Sequence, residues 1–378
     1  MKVESRLKEV LAEHGLDHHG VIQEIAQAVG VNRHTIAKLY NDRSPGVTFT
    51  LLGRLCNWLV ENGVPADELP GALLGAGRAA LWTAITRHKG DVTIYLGEYQ
   101  STRDDEVLYR WISRRDSSVA AMIVQRLSTG TEGGSPPPTL GFEYIPFRYS
   151  PMDHIVDPQV LAEDIRRTHR VFERVQQGAN TRTTIIIGSQ RVNYLQEFFV
   201  ADLFGCRPFA APSGKPLVPF FSVYRPSDQN TPSCFGGLEN PFRTRDKSRP
   251  GLHYLNDRGQ WETCPWHRDR QDAGLVISLR DHRRGSIVLA VFGFSGWATE
   301  AIGGQLVLKE DLFWPPAVKL KTREVGVFVC QLTRGASDPA GEDQGHVQPA
   351  ACEVIPLGAR IIEDLLGQIG RASCRERV

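Results

Sequence analysis

The chain lacks the features that announce a membrane or secreted protein. No apolar run in its 378 residues approaches the ~18 a bilayer span needs. The opening MKVESRLKEVLAEHG has no apolar signal core and carries instead the spacing of an amphipathic helix. Seven cysteines, at positions 56, 206, 234, 264, 330, 352 and 374, include no CxxC pair. An odd, unpatterned set in a long chain reads as reduced thiols of a cytoplasmic protein. Cys234, His253, Cys264 and His267 are zinc-type ligands, but only Cys264 and His267 lie close, which is too sparse for a structural site; no metal is expected. Charge of one sign is lacking too: 44 Lys and Arg face 43 Asp and Glu, for a net +1. That balance denies the chain a global pull on nucleic acid and leaves any such affinity to local geometry. GxSxG, HExxH, HxE with PCxxC, GxGxxG and GxxxxGK[ST] are all missing, so the sequence names no catalytic residue and no cofactor. No internal repeat is present.

What is there divides the chain. Its length fits two or three domains. Residues 3–62 are dense in helical periodicity, and Val64–Gly77 (VPADELPGALLGAG) reads as a connector. The expected division is residues 1–64, a linker over 65–77, and a second region over 78–368. Ile369–Val378 (IGRASCRERV) reads as the translation of a common sequencing adapter, which would leave the native C-terminus elsewhere; it is set aside from the fold reasoning. Beyond the linker the pattern alternates. Strand-like runs fall at Val92–Leu96, Thr183–Ile187, Val218–Tyr224, Gly274–Leu279, Ser286–Phe292 and Val325–Cys330. Helical patterns lie near Ser117–Leu127, Pro158–Gln176, Val192–Phe204 and Ala298–Leu308. Strands interleaved with helices predict a parallel or mixed sheet covered on both faces. Thr129–Leu140, with three consecutive prolines, predicts a loop.

Within the first region, Ile22–Tyr40 meets a specific set of requirements. Ile25, Val29, Ile36 and Leu39 are the apolar positions of two short helices, and Ala26 is small where they cross. Gly30 suits a turn needing positive φ, Val31 fills the corner, and Asn32 suits the N-cap of the second helix. Val3, Leu7, Val10 and Leu11 form one face of a preceding helix; Leu51, Leu52, Leu55 and Leu59 form the inner face of a following one. Four helices with a helix-turn-helix as the second and third resemble the phage-repressor/Cro-like helix-turn-helix family, over residues 1–64 only. The resemblance implies an all-α domain that places its third helix in the major groove of double-stranded DNA. Outward residues at the start of that helix, Arg33, His34 and, one turn on, Lys38, then face base edges. Gln23, Asn32, Asn41, Arg43 and Ser44 complete the expected DNA-binding set, mostly on the backbone side. Residues 1–64 hold seven basic and seven acidic side chains. One copy should therefore bind weakly, and a homodimer on two half-sites is expected.

The second region is expected to be an α/β, Rossmann-like fold, loosely similar to bacterial Rossmann-like nucleotide-sensing domains. Its most informative stretch is Thr183–Gly205, where a strand runs into Gly188, Ser189, Gln190 and Asn193, with Glu197 one turn on. A second strand-to-helix edge holds Gly293, Ser295, Gly296 and Thr299; a third is Tyr95–Gly97 with Arg114 and Asp116 downstream. Such edges bind ligands in α/β sheets. Trp261–Asp269 (WETCPWHRD) reads as a partly exposed loop, with Cys264 and His267 as a weak nucleophilic pair. Three readings stay open: a transcription regulator with a small-molecule, nucleotide-like effector; a nucleotide- or nucleoside-processing enzyme with a DNA-targeting domain; and an oligomerisation or protein-interaction module joined to a DNA reader.

Overall fold

A computed structural model describes residues 7–41, 48–64, 81–87, 91–103, 106–129, 138–148, 157–177, 183–189, 191–228, 231–314, 316, 318–320, 322–335 and 349–375. The chain divides into two compact units, Met1–Ala80 and Leu81–Val378. The expected linker, Val3, and most of the proline-rich loop lie outside the described residues.

The first unit is all-helical: α1 (Leu7–Glu13), α2 (Val21–Val29), α3 (Arg33–Tyr40) and α4 (Phe49–Glu61). Its core is the apolar set legible from spacing, with Leu7, Leu11, Ile25, Ile36 and Leu59 fully buried. Leu51 and Leu52 are only partly covered, and Trp58 takes the inner position beside Leu55. Thr48 caps α4 by accepting from Leu51 N at 3.3 Å.

The second unit is built on a mixed sheet. Four strands run parallel: β1 (Val92–Arg103), β3 (Leu140–Arg148), β4 (Thr183–Ile187) and β10 (Ser286–Gly293). β10 then pairs antiparallel with β9 (Gln271–Asp281), and β9 with β12 (Arg323–Thr333). The short β11 (Val318–Lys319) and β13 (Ala351–Pro356) lie end to end along the other side of β12. β2 (Glu106–Ile112) folds back on the far half of β1, in line with β4. β3 and β4 flank β1 on opposite sides, so the chain reverses its direction of travel across the sheet at β1.

All five residues of β4 are buried, and they alternate between two cores. Ile186 faces one core, with α7 (Pro158–Gln177), α8 (Leu195–Phe204) and α10 (Ala359–Arg375). Ile185 and Ile187 face the other, with α5 (Leu81–Arg87), α6 (Arg114–Thr129) and α9 (Gly296–Leu308). Two-sided burial is what makes a parallel strand a continuous apolar run rather than an alternating one.

A second sheet was not anticipated. β5 (Phe220–Val223), β6 (Gly236–Gly237), β7 (Gly251–Leu255) and β8 (Trp261–Pro265) pair in the order 6-5-7-8 and feed Phe220, Leu252, Tyr254 and Cys264 into the first core. Trp261–Pro265 is thus a strand, not a loop. Cys264 is buried there, which pushes its thiol up to about 12, while His267 is exposed. Glu197 is expected at a pocket and is instead buried as an organiser of this sheet's approach. Its carboxylate accepts from Phe209 N at 2.9 Å, Cys234 N at 2.7 Å and Ser233 Oγ at 2.6 Å.

Gly293 joins β10 to α9 so closely that a Cβ would run into the backbone of Thr299 and Ala298. Both are helix backbone and cannot swing aside. Gly293→Ala is expected to cost the second unit about 3 kcal/mol, the upper end of ordinary overpacking, read as a lower urea midpoint at constant m-value.

Candidate functional sites in the two units

The reading face of the first unit is set by its turn. Gly30 adopts φ 68°, and the chain reverses through bonds from Gly30 N to Gln27 O at 3.3 Å and from Val31 N to Ala26 O at 3.0 Å. A side chain at such a φ is strained, which explains the glycine. Arg54 of α4 donates to Val29 O at 3.2 Å and so fixes the end of α2. The side chain of Asn32 accepts from His34 N at 2.8 Å, the cap its position predicts. Asn41 closes the other end by donating to Ala37 O at 2.7 Å. Ile36 and Leu39 point into the core, which leaves Arg33, His34 and Lys38 exposed, together with Gln23 on α2. Arg43 and Ser44 lie outside the described residues.

Residues 6–61 match the family model of the Cro/C1-type helix-turn-helix DNA-binding domain. No curated protein and no solved structure matches the chain. In the Cro/C1-type domain the N-terminal part of the second motif helix meets the major groove, and here that part carries Arg33 and His34.

In the second unit two of the three expected strand-to-helix edges lie together at one end of the sheet; the third, Tyr95–Gly97, is the middle of β1, which runs on to Arg103 and folds back into β2 rather than into a helix. Leu96 pairs with Ile187, and Ile187 with Val291, so β4 and β10 end side by side while β1 runs on past them to Arg103. Asn193, fully buried, ties β1 to β4: its Nδ2 donates to Tyr95 O at 3.1 Å and Ile187 O at 2.9 Å, and its Oδ1 accepts from Leu195 N. Thr299 bridges similarly, accepting from Gly293 N and donating to Ser295 O. Ser295 caps α9 at Ala298 N and donates to Asp272. Ser189 is half-buried on the 188–193 turn, and Gln190 lies outside the described residues.

Residues that no local pattern marked complete this edge. Buried Asp272 also takes a bond from Arg334, whose guanidinium lies 4.4 Å from the ring centre of Trp297. Burial holds the Asp272 carboxyl above its usual range despite those bonds. Arg191 donates to Phe294 O and pairs at 2.7 Å with Asp228, which also holds Arg225. Burial pulls Asp228 upward, but Arg225 and Arg191 outweigh it and hold the carboxyl below its usual range. Arg115 pairs with Glu300 and lies over Gly296.

Asp116 differs from the others. It sits in the first turn of α6 and is 4% exposed. Its carboxylate lies where a Cβ on Gly188 would come within 3.0 Å of Oδ2. Among the described residues nothing donates to that carboxylate or pairs with it. Burial alone raises its pKa from 3.8 to about 7. A carboxyl whose folded value is raised favours the folded state while neutral. That contribution is whole below its ordinary value and is lost as pH rises through about 7. Asp116→Asn should therefore melt above the wild type at about pH 8.5 and close to it at about pH 4. Equal melting differences at both pH values would show a carboxyl that ionises normally.

Proposed function

We propose that the protein is a sequence-specific, DNA-binding transcriptional regulator whose second unit senses a small, nucleotide-like ligand. The DNA-binding reading is carried by one observation: Arg33, His34 and Lys38 stand exposed on a helix whose other face is locked into the core of a Cro/C1-type domain. Arg33 can bind guanine through two parallel bonds, and Lys38 reaches a base or a phosphate. Gln23 and Asn41 approach the backbone, with Asn32 oriented beside them, and Arg43 and Ser44 extend that contact set.

In this proposal residues 1–64 are the reader, 65–77 the connector and 78–368 the sensor, working as a homodimer in a bacterial cytoplasm. The even charge balance of residues 1–64 supports the dimer, because two weak half-site contacts multiply. The sensor reading rests on the parallel half of the sheet, which we take as Rossmann-like. Gly188, Ser189 and Asn193 on one loop, and Gly293, Ser295, Gly296 and Thr299 on another, gather at the strand ends where such folds bind ligands, and we count Gln190 in the same contact set. In this reading Asn193 and Thr299 shape the loops, while Ser189 and the helix N-termini face the effector. Ligand binding would act by favouring one dimer geometry over another.

Footprinting with the purified full chain tests the reader. Arg33→Ala combined with Lys38→Ala should weaken specific occupancy by tenfold or more, from roughly 1–3 kcal/mol for the base contact alone, with an unchanged melting curve. Unchanged occupancy would sink the recognition surface. Sedimentation of the same sample should show a dimer on DNA; a monomer holding one half-site tightly would remove the dimer.

A further inference from the structure

On the α7/α8 face of the sheet, at the end opposite the strand-to-helix loops, lies a cavity of about 150 Å³. Its floor comes from the starts of three parallel strands, with Thr93, Tyr95, Thr184, Ile186 and Val288. Its roof is apolar, with Phe172 and Val175 from α7 and Leu195 and Phe199 from α8. The same lining carries charges of both signs. Glu143 pairs with Arg174 at 2.9 Å, and Asp281 with Arg323 at 3.1 Å, so these four neutralise one another. Two charges are left over. Among the described residues, Asp202 receives one bond, from Gln176 Nε2 at 3.1 Å, and has no cation partner. The guanidinium of Arg284 likewise has no carboxylate partner among them. The other atom of the Gln176 amide, Oε1, is buried with no hydrogen-bond donor.

Cavities of this volume hold a body the size of benzene. An apolar interior with a few convergent polar groups is the usual composition of a small-molecule site. Here the polar groups ask for opposite things. Gln176 Oε1 is buried and needs a donor, while Asp202 and Arg284 are exposed at the rim, where a ligand's cation and anion would replace water. Charge-assisted bonds of these kinds reward a ligand that bears both charges. We propose that this cavity binds a zwitterionic α-amino acid with an apolar side chain of leucine or phenylalanine size. The side chain lies between the sheet and the two helices, the ammonium meets Asp202 and Gln176, and the carboxylate meets Arg284. The site is separate from the strand-to-helix edge and does not rest on the reading of that edge.

Calorimetric titration of the full chain with L-leucine and L-phenylalanine tests this. Saturable binding of at least one is expected, about tenfold or more tighter than 4-methylpentanoate, which lacks the ammonium, or isopentylamine, which lacks the carboxylate. Asp202→Asn and Arg284→Gln should each weaken it about tenfold. Val288→Phe fills the cavity and should abolish binding. The melting temperature is measured for each variant, and the two surface variants carry the test if the filled one unfolds. No saturable binding of either amino acid overturns the proposal. So does equal affinity for 4-methylpentanoate, or affinity untouched in a folded Val288→Phe protein. Footprints are read in the same preparations, so intact footprints without amino-acid binding remove this site and leave the DNA-binding reading standing.

Discussion

The second unit depends on the burial of β4 from both sides. Its five residues are all buried, so helices must cover each face: α5, α6 and α9 cover one, and α7, α8 and α10 the other. Placing β3 and β4 on opposite sides of β1 then reverses the chain's direction across the sheet at β1, the arrangement beside which open α/β sheets bind ligands. The strand-to-helix edge follows from that one apolar run. The antiparallel half, β9 with β12, widens the sheet and extends both cores.

Much of this was legible because the signals were local. Thr183–Ile187 is the strand that its β-branched run predicts, and Pro158–Gln177 begins at the proline that opens its helical pattern. In the first unit Gly30, Asn32, Ile36 and Leu39 do what their spacing requires, since a turn, a cap and a packed face are each decided within a few residues. What stayed hidden is what distance decides. β7 and β8 are short, carry His253 and Cys264 among apolar residues, and earn their strand conformation only by pairing with each other and with β5. The Trp261–Asp269 stretch reads as a loop because its charged and aromatic residues alternate without a core in sight; Cys264 is the residue of the stretch that enters the first core, and it also donates to Gln331 of β12.

The edge site shows the same division. Gly188, Asn193, Gly293, Ser295 and Thr299 could be named from strand-to-helix joints, and the structure brings them to one end of the sheet. Asp272, Arg334, Arg191 and Asp228 could not, because each is meaningful only beside a partner dozens of residues away. Asp116 lies between these cases. The sequence placed it near the right loop, but its lack of a cation partner among the described residues is a property of packing.

Asn193 has a mechanical consequence. One buried amide clasps the carbonyls of two neighbouring strands and the first free amide of the following helix. Breaking those bonds without water at hand is costly, so the joint resists bending. A push on the 188–193 turn would be passed on to β1, β4 and α8 together, as by a lever on a stiff pivot, rather than absorbed where it is applied.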